Sequence, residues 1–172
     1  MYPLTNRIIH WLTLILVIAA FASIELRELF ERGTESRELF KFIHFQIGSL
    51  LFILTIIRLI NKRFNPEPNM VEMTKLKTLA AKTVHLVLII CLIAMPILGV
   101  AVLIAETKDI SLIGIPLPNI MAKNKDIAHT IEDIHEILGS IFMSLIFVHA
   151  AAAIWHHKFV KDDTLHKMLG KY

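Results

Sequence analysis

Four long apolar blocks, separated by charged segments, dominate the pattern of hydrophobic and polar positions along the chain. They cover residues 8–24, 40–60, 84–105 and 134–155. A helix needs about 20 mostly apolar residues to cross a hydrocarbon core of about 30 Å, and each block reaches or approaches that length. The polar stretches between the blocks are too short to form a core of their own. The pattern therefore predicts an all-α fold, a four-helix transmembrane bundle that forms one membrane-embedded domain over residues 1–172.

The segments between the blocks predict the connections. The sequence Asn65-Pro66-Glu67-Pro68-Asn69 ends the second helix, because proline lacks a backbone donor and restricts the residue before it. Residues 25–38 alternate charged and apolar positions, which predicts a short amphipathic helix at the membrane interface. Residues 106–126 contain a glycine and two prolines and predict an irregular loop.

The placement of lysine and arginine predicts the orientation in the membrane. With four spans, the N-terminus, the loop between helices two and three and the C-terminal tail share one side. That side carries eleven of the 18 basic residues and the opposite side carries seven. Since basic flanks stay in the cytoplasm, both termini are expected there. The basic residues flank apolar blocks and form no continuous stripe, so the net charge of +3 does not indicate nucleic-acid binding. Membrane lipid is the partner that the apolar blocks predict.

Histidine carries the candidate chemistry. Five of the nine histidines lie inside or at the ends of the apolar blocks, with at least one in every predicted helix: His10, His44, His85, His135 and His149. A lone histidine on a helix is more often a packing residue. Ionisable groups at membrane depth are costly, however, and usually face the bundle interior and serve a function. Five such residues therefore favour a functional site.

Helix geometry arranges these histidines in two layers. His135 and His149 are 14 residues apart, so they project from nearly the same face with about 21 Å of helix between them. His44 lies near the outer start of helix two, level with His135. His10 and His85 lie near the inner ends of their helices, level with His149. Each layer offers an opposed pair, as bis-histidine haem ligation requires. The geometry leaves the choice between His10 and His85 open.

Small residues favour haem over a bound metal ion. Gly48 and Gly139 each follow a histidine by four positions, one turn along the same face, and leave a gap for a flat macrocycle. The alternative reading is a small-residue helix contact, which is common in membranes. A zinc or iron transporter would add carboxylates at the same depth, but the spans contain only Glu136. Cys91 is the single cysteine and no Cys-x-x-Cys-His motif is present, so two b-type haems are expected without covalent attachment.

At these residues the sequence resembles the bacterial cytochrome b561 family, and within it the superoxide oxidase type. The similarity keeps order and spacing over nearly the whole chain. The shared elements are Ile9-His10-Trp11, Ile43-His44 with Gly48, His135-Glu136, His149-Ala150-Ala151-Ala152, His156-His157 and Lys161-Asp162.

The resemblance implies a ligand set. It implies that His44 and His135 hold an outer haem, where the donor reacts, and that His10 and His149 hold an inner haem. His85 matches a family histidine that lies beside the ligands or on the quinone side.

The pair His156-His157 is the last element of the implied site. The resemblance places it just inside helix four, where it would sit at ubiquinone and supply protons. The alternative is a solvated tail among the lipid headgroups.

The resemblance also implies an activity. Members of this type take an electron from superoxide outside the bacterial inner membrane and pass it to ubiquinone. We therefore expect a superoxide:ubiquinone oxidoreductase. Two alternatives stay open: an electron-transfer subunit that links a separate dehydrogenase to quinone, and a transport or interaction protein whose histidines only pack.

The outer charge weighs against superoxide as the donor. An anion is steered best by a basic surface, yet the outer segments hold ten acidic residues against seven basic ones. A local patch of Lys41, Lys123 and Lys125 near the outer haem is the feature expected to steer the anion.

Overall fold

Four long helices make up most of the chain. The computed structural model describes residues 3–65, 74–107, 110–112, 115–117, 120 and 122–170. The long helices are α1 (Leu4–Arg27), α2 (Glu35–Phe64), α3 (Lys75–Glu106) and α4 (Lys125–Trp155). A π-helical turn (His156–Val160) continues α4, and a short helix α5 (Thr164–Leu169) follows. Between α3 and α4, strands β1 (Ile110–Leu112) and β2 (Ile115–Leu117) pair antiparallel.

The surface of the helices is apolar. All four long helices have the length and hydropathy needed to cross a membrane. Large apolar side chains point outward along them, for example Ile15, which is 61% exposed, and Phe147, which is 68% exposed. A water-soluble bundle would turn such faces inward, whereas lipid solvates them. The fold is therefore a transmembrane four-helix bundle, which confirms the predicted fold class.

The core of the bundle lies between the two histidine layers. Helix α1 packs against α2, α2 against α3, and α3 against α4. Val17, Leu51, Cys91 and Phe142 form the buried centre. Phe142 stands seven residues from both His135 and His149 on α4, and its ring meets Phe21 of α1 at a centroid distance of 6.3 Å. The apolar centre thus separates an outer histidine layer from an inner one.

Side-chain caps fix where α2 and α4 begin, and both begin earlier than their apolar blocks. Thr34 Oγ1 accepts a hydrogen bond from the Arg37 backbone N–H at 3.4 Å. Asn124 Oδ1 accepts one from the Ile127 backbone N–H at 3.1 Å. These bonds satisfy N–H groups that have no partner inside the helix. The charged first turns of α2 and α4 are therefore helical although they lie outside the apolar blocks.

Residues 28–34 form a tight turn between α1 and α2. Helix α1 runs on to Arg27, and Gly33 adopts φ 88°, a left-handed conformation that glycine takes without steric cost. Thr34 then caps α2. The prediction of an amphipathic helix over 25–38 is therefore wrong, because its charge alternation comes from the last turn of α1 and the first turn of α2.

Arg37 holds this outer turn together. Its guanidinium donates to the backbone oxygens of Arg27 at 3.2 Å and Phe30 at 2.8 Å, and to the Glu28 carboxylate at 3.0 Å. Arg27 donates to the same carboxylate at 2.7 Å. The hydrogen bonds from Arg27, and then those from Arg37, hold the pKa of Glu28 below its usual range.

The two remaining connections were also predicted from the sequence. The loop over 106–126 contains the β1–β2 pair, so the prediction of a wholly irregular loop is wrong. Its end is held by the Asn124 N–H, which donates to the Ala105 oxygen at 2.9 Å and joins the start of α4 to the end of α3. The predicted proline break begins just after α2, and residues 66–69 lie outside the described residues.

Candidate functional site

The outer histidine pair joins α2 to α4. The ring centroids of His44 and His135 lie 6.3 Å apart, with the ring planes at 75°. His44 Nδ1 lies 2.8 Å from the backbone oxygen of Ala20 on α1. Because a carbonyl oxygen only accepts, His44 Nδ1 carries the proton and His44 Nε2 keeps a lone pair. A backbone partner of this kind orients a metal-binding histidine.

The His135 ring is less fully bonded. It lies against α3, close to the backbone carbonyl of Met95. Its Nδ1 is buried and completes no hydrogen bond within the described part of the chain. A buried ring nitrogen that makes no hydrogen bond calls for an explanation, and one explanation is a role beyond packing.

Three histidines meet in the inner layer. The centroids of His10 and His149 lie 6.4 Å apart, with the planes at 66°. His85 of α3 also approaches His149, at a shorter centroid distance of 5.2 Å. His10 and His149 are half-buried, whereas His85 is exposed on the bundle surface.

The ring separations can be compared with the geometry of a bis-histidine haem. A metal–nitrogen bond of about 2.0 Å on each side, with about 1.1 Å from ring nitrogen to ring centre, gives centroids about 6.2 Å apart. The His44–His135 and His10–His149 separations of 6.3 and 6.4 Å agree with that value. The His85–His149 separation of 5.2 Å is too short for two ligands of one iron. Ordinary contacts between aromatic rings have centroid separations of about 4.5–7 Å, a range that includes this value. The separation is therefore a condition that haem ligation requires, and both pairs meet it.

The glycines near the outer layer differ in their surroundings. A Cβ on Gly48 would meet nothing within 4 Å, so this side of α2 leaves room beside His44. A Cβ on Gly139 would stand 3.3 Å from Met95 Cε, so Gly139 lies where α3 approaches α4. Gly99, which the sequence reasoning missed, lies on α3 against His135, with 3.6 Å from its Cβ position to His135 Cε1.

Arg58 is a cation of the inner layer that the sequence reasoning used only for topology. Its half-buried side chain is close enough to act electrostatically on both His10 and His149. The signal was present in the sequence, because Arg58 follows His44 by 14 residues and therefore shares its helix face at the opposite depth.

Two adjoining cavities open at the outer end of the bundle. The larger has a volume of about 440 Å³ and is lined by Arg27, Arg32, Gly33, Arg37, Glu38, Lys41, Glu106, His129 and Glu132. The smaller has a volume of about 260 Å³ and is lined by Glu106, Lys123, Lys125, Ala128 and His129. Glu106 and His129 line both. The three lysines singled out from the sequence therefore line two cavities that share one carboxylate, Glu106, whose Oε2 lies 4.0 Å from Lys41 Nζ.

Two further side-chain pairs lie at the inner end, where the sequence analysis gave a role only to His156 and His157. His156 Nδ1 lies 2.6 Å from Asp162 Oδ2. The His157 and His166 ring centroids are 4.7 Å apart. Asp162 and His166 were missed as partners because they reach the histidines only when the chain after Val160 folds back.

A site for a free metal ion is not formed by the described side chains. Among residues 3–65, 74–107 and the other described segments, no three His, Cys, Asp or Glu side chains converge as metal ligands. The membrane-embedded histidines instead meet as opposed rings.

The chain was compared with known proteins. The family model described as "Prokaryotic cytochrome b561" matches residues 1–171. A relative named "Cytochrome b561 homolog 1" from Escherichia coli is 33% identical, covering 96% of this chain and 94% of the relative. "Probable superoxide oxidase CybB" from Yersinia pestis is 35% identical, covering 95% and 92%. "Cytochrome b561 homolog 2" from Escherichia coli is 31% identical, covering 99% and 92%.

Proposed function

Because this chain belongs to the prokaryotic cytochrome b561 family of membrane electron-transfer proteins, we propose that it oxidises superoxide at its outer face and reduces ubiquinone at its inner face. It is a multi-pass protein of the bacterial membrane, with both termini proposed to be cytoplasmic. The observation that carries the proposal is the pair of opposed histidine rings at each depth, 6.3 Å apart in the outer layer and 6.4 Å in the inner layer.

The proposed ligands of two b-type haems are His44 with His135 outside and His10 with His149 inside. When bound, the haems supply reversible one-electron chemistry at two depths. The protein supplies the orientation, through the bond from His44 Nδ1 to the Ala20 oxygen. The two layers are about 21 Å apart along α4, so together they extend over most of the hydrocarbon thickness.

Superoxide is proposed as the donor on two grounds. One relative is named a probable superoxide oxidase. The outer cavities also collect cations: Lys41 stands one turn before His44 on α2, and Lys123 and Lys125 line the adjoining cavity. Electrostatic fields act locally within about 8–10 Å at moderate salt, so this cluster counts for more than the acidic balance of all outer segments.

Ubiquinone is proposed as the acceptor at the inner layer. His85 is exposed on the bundle surface and its ring lies against the ligand His149, so a lipid-soluble molecule can approach it from the membrane. His156 and His157 lie closer than His85 and His149 to the inner aqueous phase and are the proposed proton sources.

The test is to mix the oxidised, purified protein with a pulse of superoxide and to follow the haem absorption. We expect fast haem reduction, which superoxide dismutase abolishes, and reoxidation when a ubiquinone is added. Absence of fast reduction by superoxide, together with reduction by a membrane fraction containing a dehydrogenase, would instead identify the chain as an electron-transfer subunit.

A further inference from the structure

The last segment of the described chain folds back over the inner end of the bundle. We call residues 161–170 the C-terminal arm. It begins at Lys161, whose φ of 58° turns the chain sharply after the π-helical turn. Arg7 donates to the backbone oxygens of Met168 at 3.1 Å and Leu169 at 2.8 Å. Trp11 Nε1 donates to the Met168 oxygen at 3.4 Å.

These bonds place the arm beside the inner haem ligand. Arg7 and Trp11 flank His10 on α1, and the Trp11 ring lies 5.5 Å from the His10 ring. The guanidinium binds carbonyls at the end of α5, which have no partner inside that helix. The arm is therefore anchored to the same helix that provides the inner ligand.

The arm brings a carboxylate to His156. Asp162 Oδ2 lies 2.6 Å from His156 Nδ1, and the two side chains are only 11% and 25% exposed. The Asp162 backbone N–H also donates to the His156 oxygen at 3.3 Å. A carboxylate only accepts, so His156 Nδ1 carries a proton and His156 Nε2 is the nitrogen left to take up and release another.

The arm also brings a second imidazole to His157. The His157 and His166 rings meet edge to face at 4.7 Å. His157 Nδ1 is buried and makes no hydrogen bond to any described residue. The π-helical turn that holds His156 and His157 is a rare form of helix that is frequent at functional sites.

The position of His156 suits proton transfer to the inner layer. His156, the first residue of the π-helical turn, follows the proposed ligand His149 by seven residues, about two helical turns. It therefore stands about 10 Å from that ligand along the helix, towards the inner water. A proton taken up at this end of the bundle passes His156 before it reaches the depth of His149.

We infer that the C-terminal arm completes a proton-uptake path for quinone reduction, in which Asp162 positions His156 and His166 pairs with His157. The inference rests on the proposed function. Each ubiquinone takes two electrons and two protons and becomes ubiquinol. Two superoxide ions provide the electrons and leave as dioxygen, and the protons come from the inner aqueous phase through the imidazoles.

The test separates haem reduction from haem reoxidation in the full-length protein with haem bound. Reoxidation by a soluble ubiquinone is followed in H₂O and in D₂O, after the haems have been reduced with limiting dithionite. Asp162→Asn keeps the size of the side chain but removes its charge. The matched control is Asp163→Asn, because the Asp163 side chain is exposed and makes no cap hydrogen bond.

We expect Asp162→Asn to slow reoxidation by about 10²-fold, the range for loss of general acid–base assistance, and to enlarge the solvent isotope effect. Haem content and the rate of reduction by superoxide should be unchanged, and Asp163→Asn should match the wild type in every rate. Reoxidation by Asp162→Asn at the wild-type rate would overturn the inference.

A second variant covers loss of folding. If Asp162→Asn does not retain haem, His156→Gln is measured in the same way, with and without added imidazole. Slow reoxidation that imidazole restores supports the path, and reoxidation at the wild-type rate overturns it. Because dithionite supplies the electrons, this experiment stands even if superoxide fails to reduce the haems, which would remove only the proposed donor.

Discussion

The identity of the fourth haem ligand can be tested with two parallel substitutions in the inner layer. His10 and His85 both approach His149, and helix geometry alone did not choose between them. The structure separates them by distance, at 6.4 Å for His10 and 5.2 Å for His85. Against the value of about 6.2 Å for two imidazoles on one metal, His10 fits and His85 is about 1 Å too close.

The expected magnitude follows from the number of sites. His10→Ala removes one of the two proposed ligands of the inner haem and leaves the proposed outer pair intact. We therefore expect the haem-to-protein ratio to fall from two to one, and the α-band of the reduced protein to fall to about half. His85→Ala keeps both ligand pairs and should retain two haems.

The assay combines haem content, measured as the pyridine haemochrome, with protein content from amino-acid analysis. His129→Ala is the matched control, because that side chain is 74% exposed at the outer end of the bundle. Added imidazole should restore part of the lost absorption in His10→Ala. Two haems in His10→Ala together with one haem in His85→Ala would refute the reasoning from ring separations.

Three further predictions concern the two ends of the bundle. Lys41→Glu should slow haem reduction by superoxide about fivefold at low salt. Reversing one charge about 8 Å from the approaching superoxide ion changes the energy between that charge and the ion by about 1 kcal/mol in water. Asn6→Ala should lower the free energy of unfolding by about 1–2 kcal/mol. The buried Asn6 side chain accepts a hydrogen bond from Asn61 Nδ2 and donates one to the backbone oxygen of Asn65, the residue that follows α2. Glu28→Gln should lower the free energy of unfolding at neutral pH and remove the part of its decrease in acid that Glu28 causes. Arg27 and Arg37 hold the pKa of Glu28 down, so the ionised carboxylate stabilises the fold above the usual carboxyl range, and this stabilisation disappears as the pH falls through the lowered pKa.

Each of these three has a direct measurement. Stopped-flow rates for Lys41→Glu should converge with the wild type at high salt, and Lys62→Glu on the inner end should show no effect at any salt; a salt-independent difference would contradict steering. Thermal loss of the haem spectrum in detergent measures Asn6→Ala, with exposed Thr5→Ala as the control. The same melts at a series of pH values measure Glu28→Gln, and parallel curves for variant and wild type would contradict the assignment.

The sequence predicted the helices better than their ends. Apolar blocks of membrane-spanning length leave no alternative to helix in lipid, because every backbone group needs a partner within its own segment. The ends depend on single polar residues such as Thr34 and Asn124, whose capping role becomes visible only with the backbone in place. The amphipathic helix over 25–38 was predicted wrongly because the same alternation of charges occurs on one helix and on the ends of two helices that flank a turn at Gly33.

The histidine layers were predictable because the spacing of 14 residues in α4 is a property of one helix. Arg58 could have been found by the same spacing from His44. The proposal of His10 over His85 as a ligand draws on interhelical distances, which no single-helix argument supplies. Asp162 and His166 reach their partners because the C-terminal arm binds Arg7 through backbone oxygens, and main-chain acceptors leave no signature in the sequence.

The central claim is that two opposed histidine pairs hold two b-type haems at opposite depths of one four-helix bundle. The most direct test is the haem-to-protein ratio of the purified wild-type protein, with its oxidised and reduced spectra. The account predicts two non-covalent haems per chain, both low-spin as bis-histidine ligation requires. One haem per chain, or none, would contradict it.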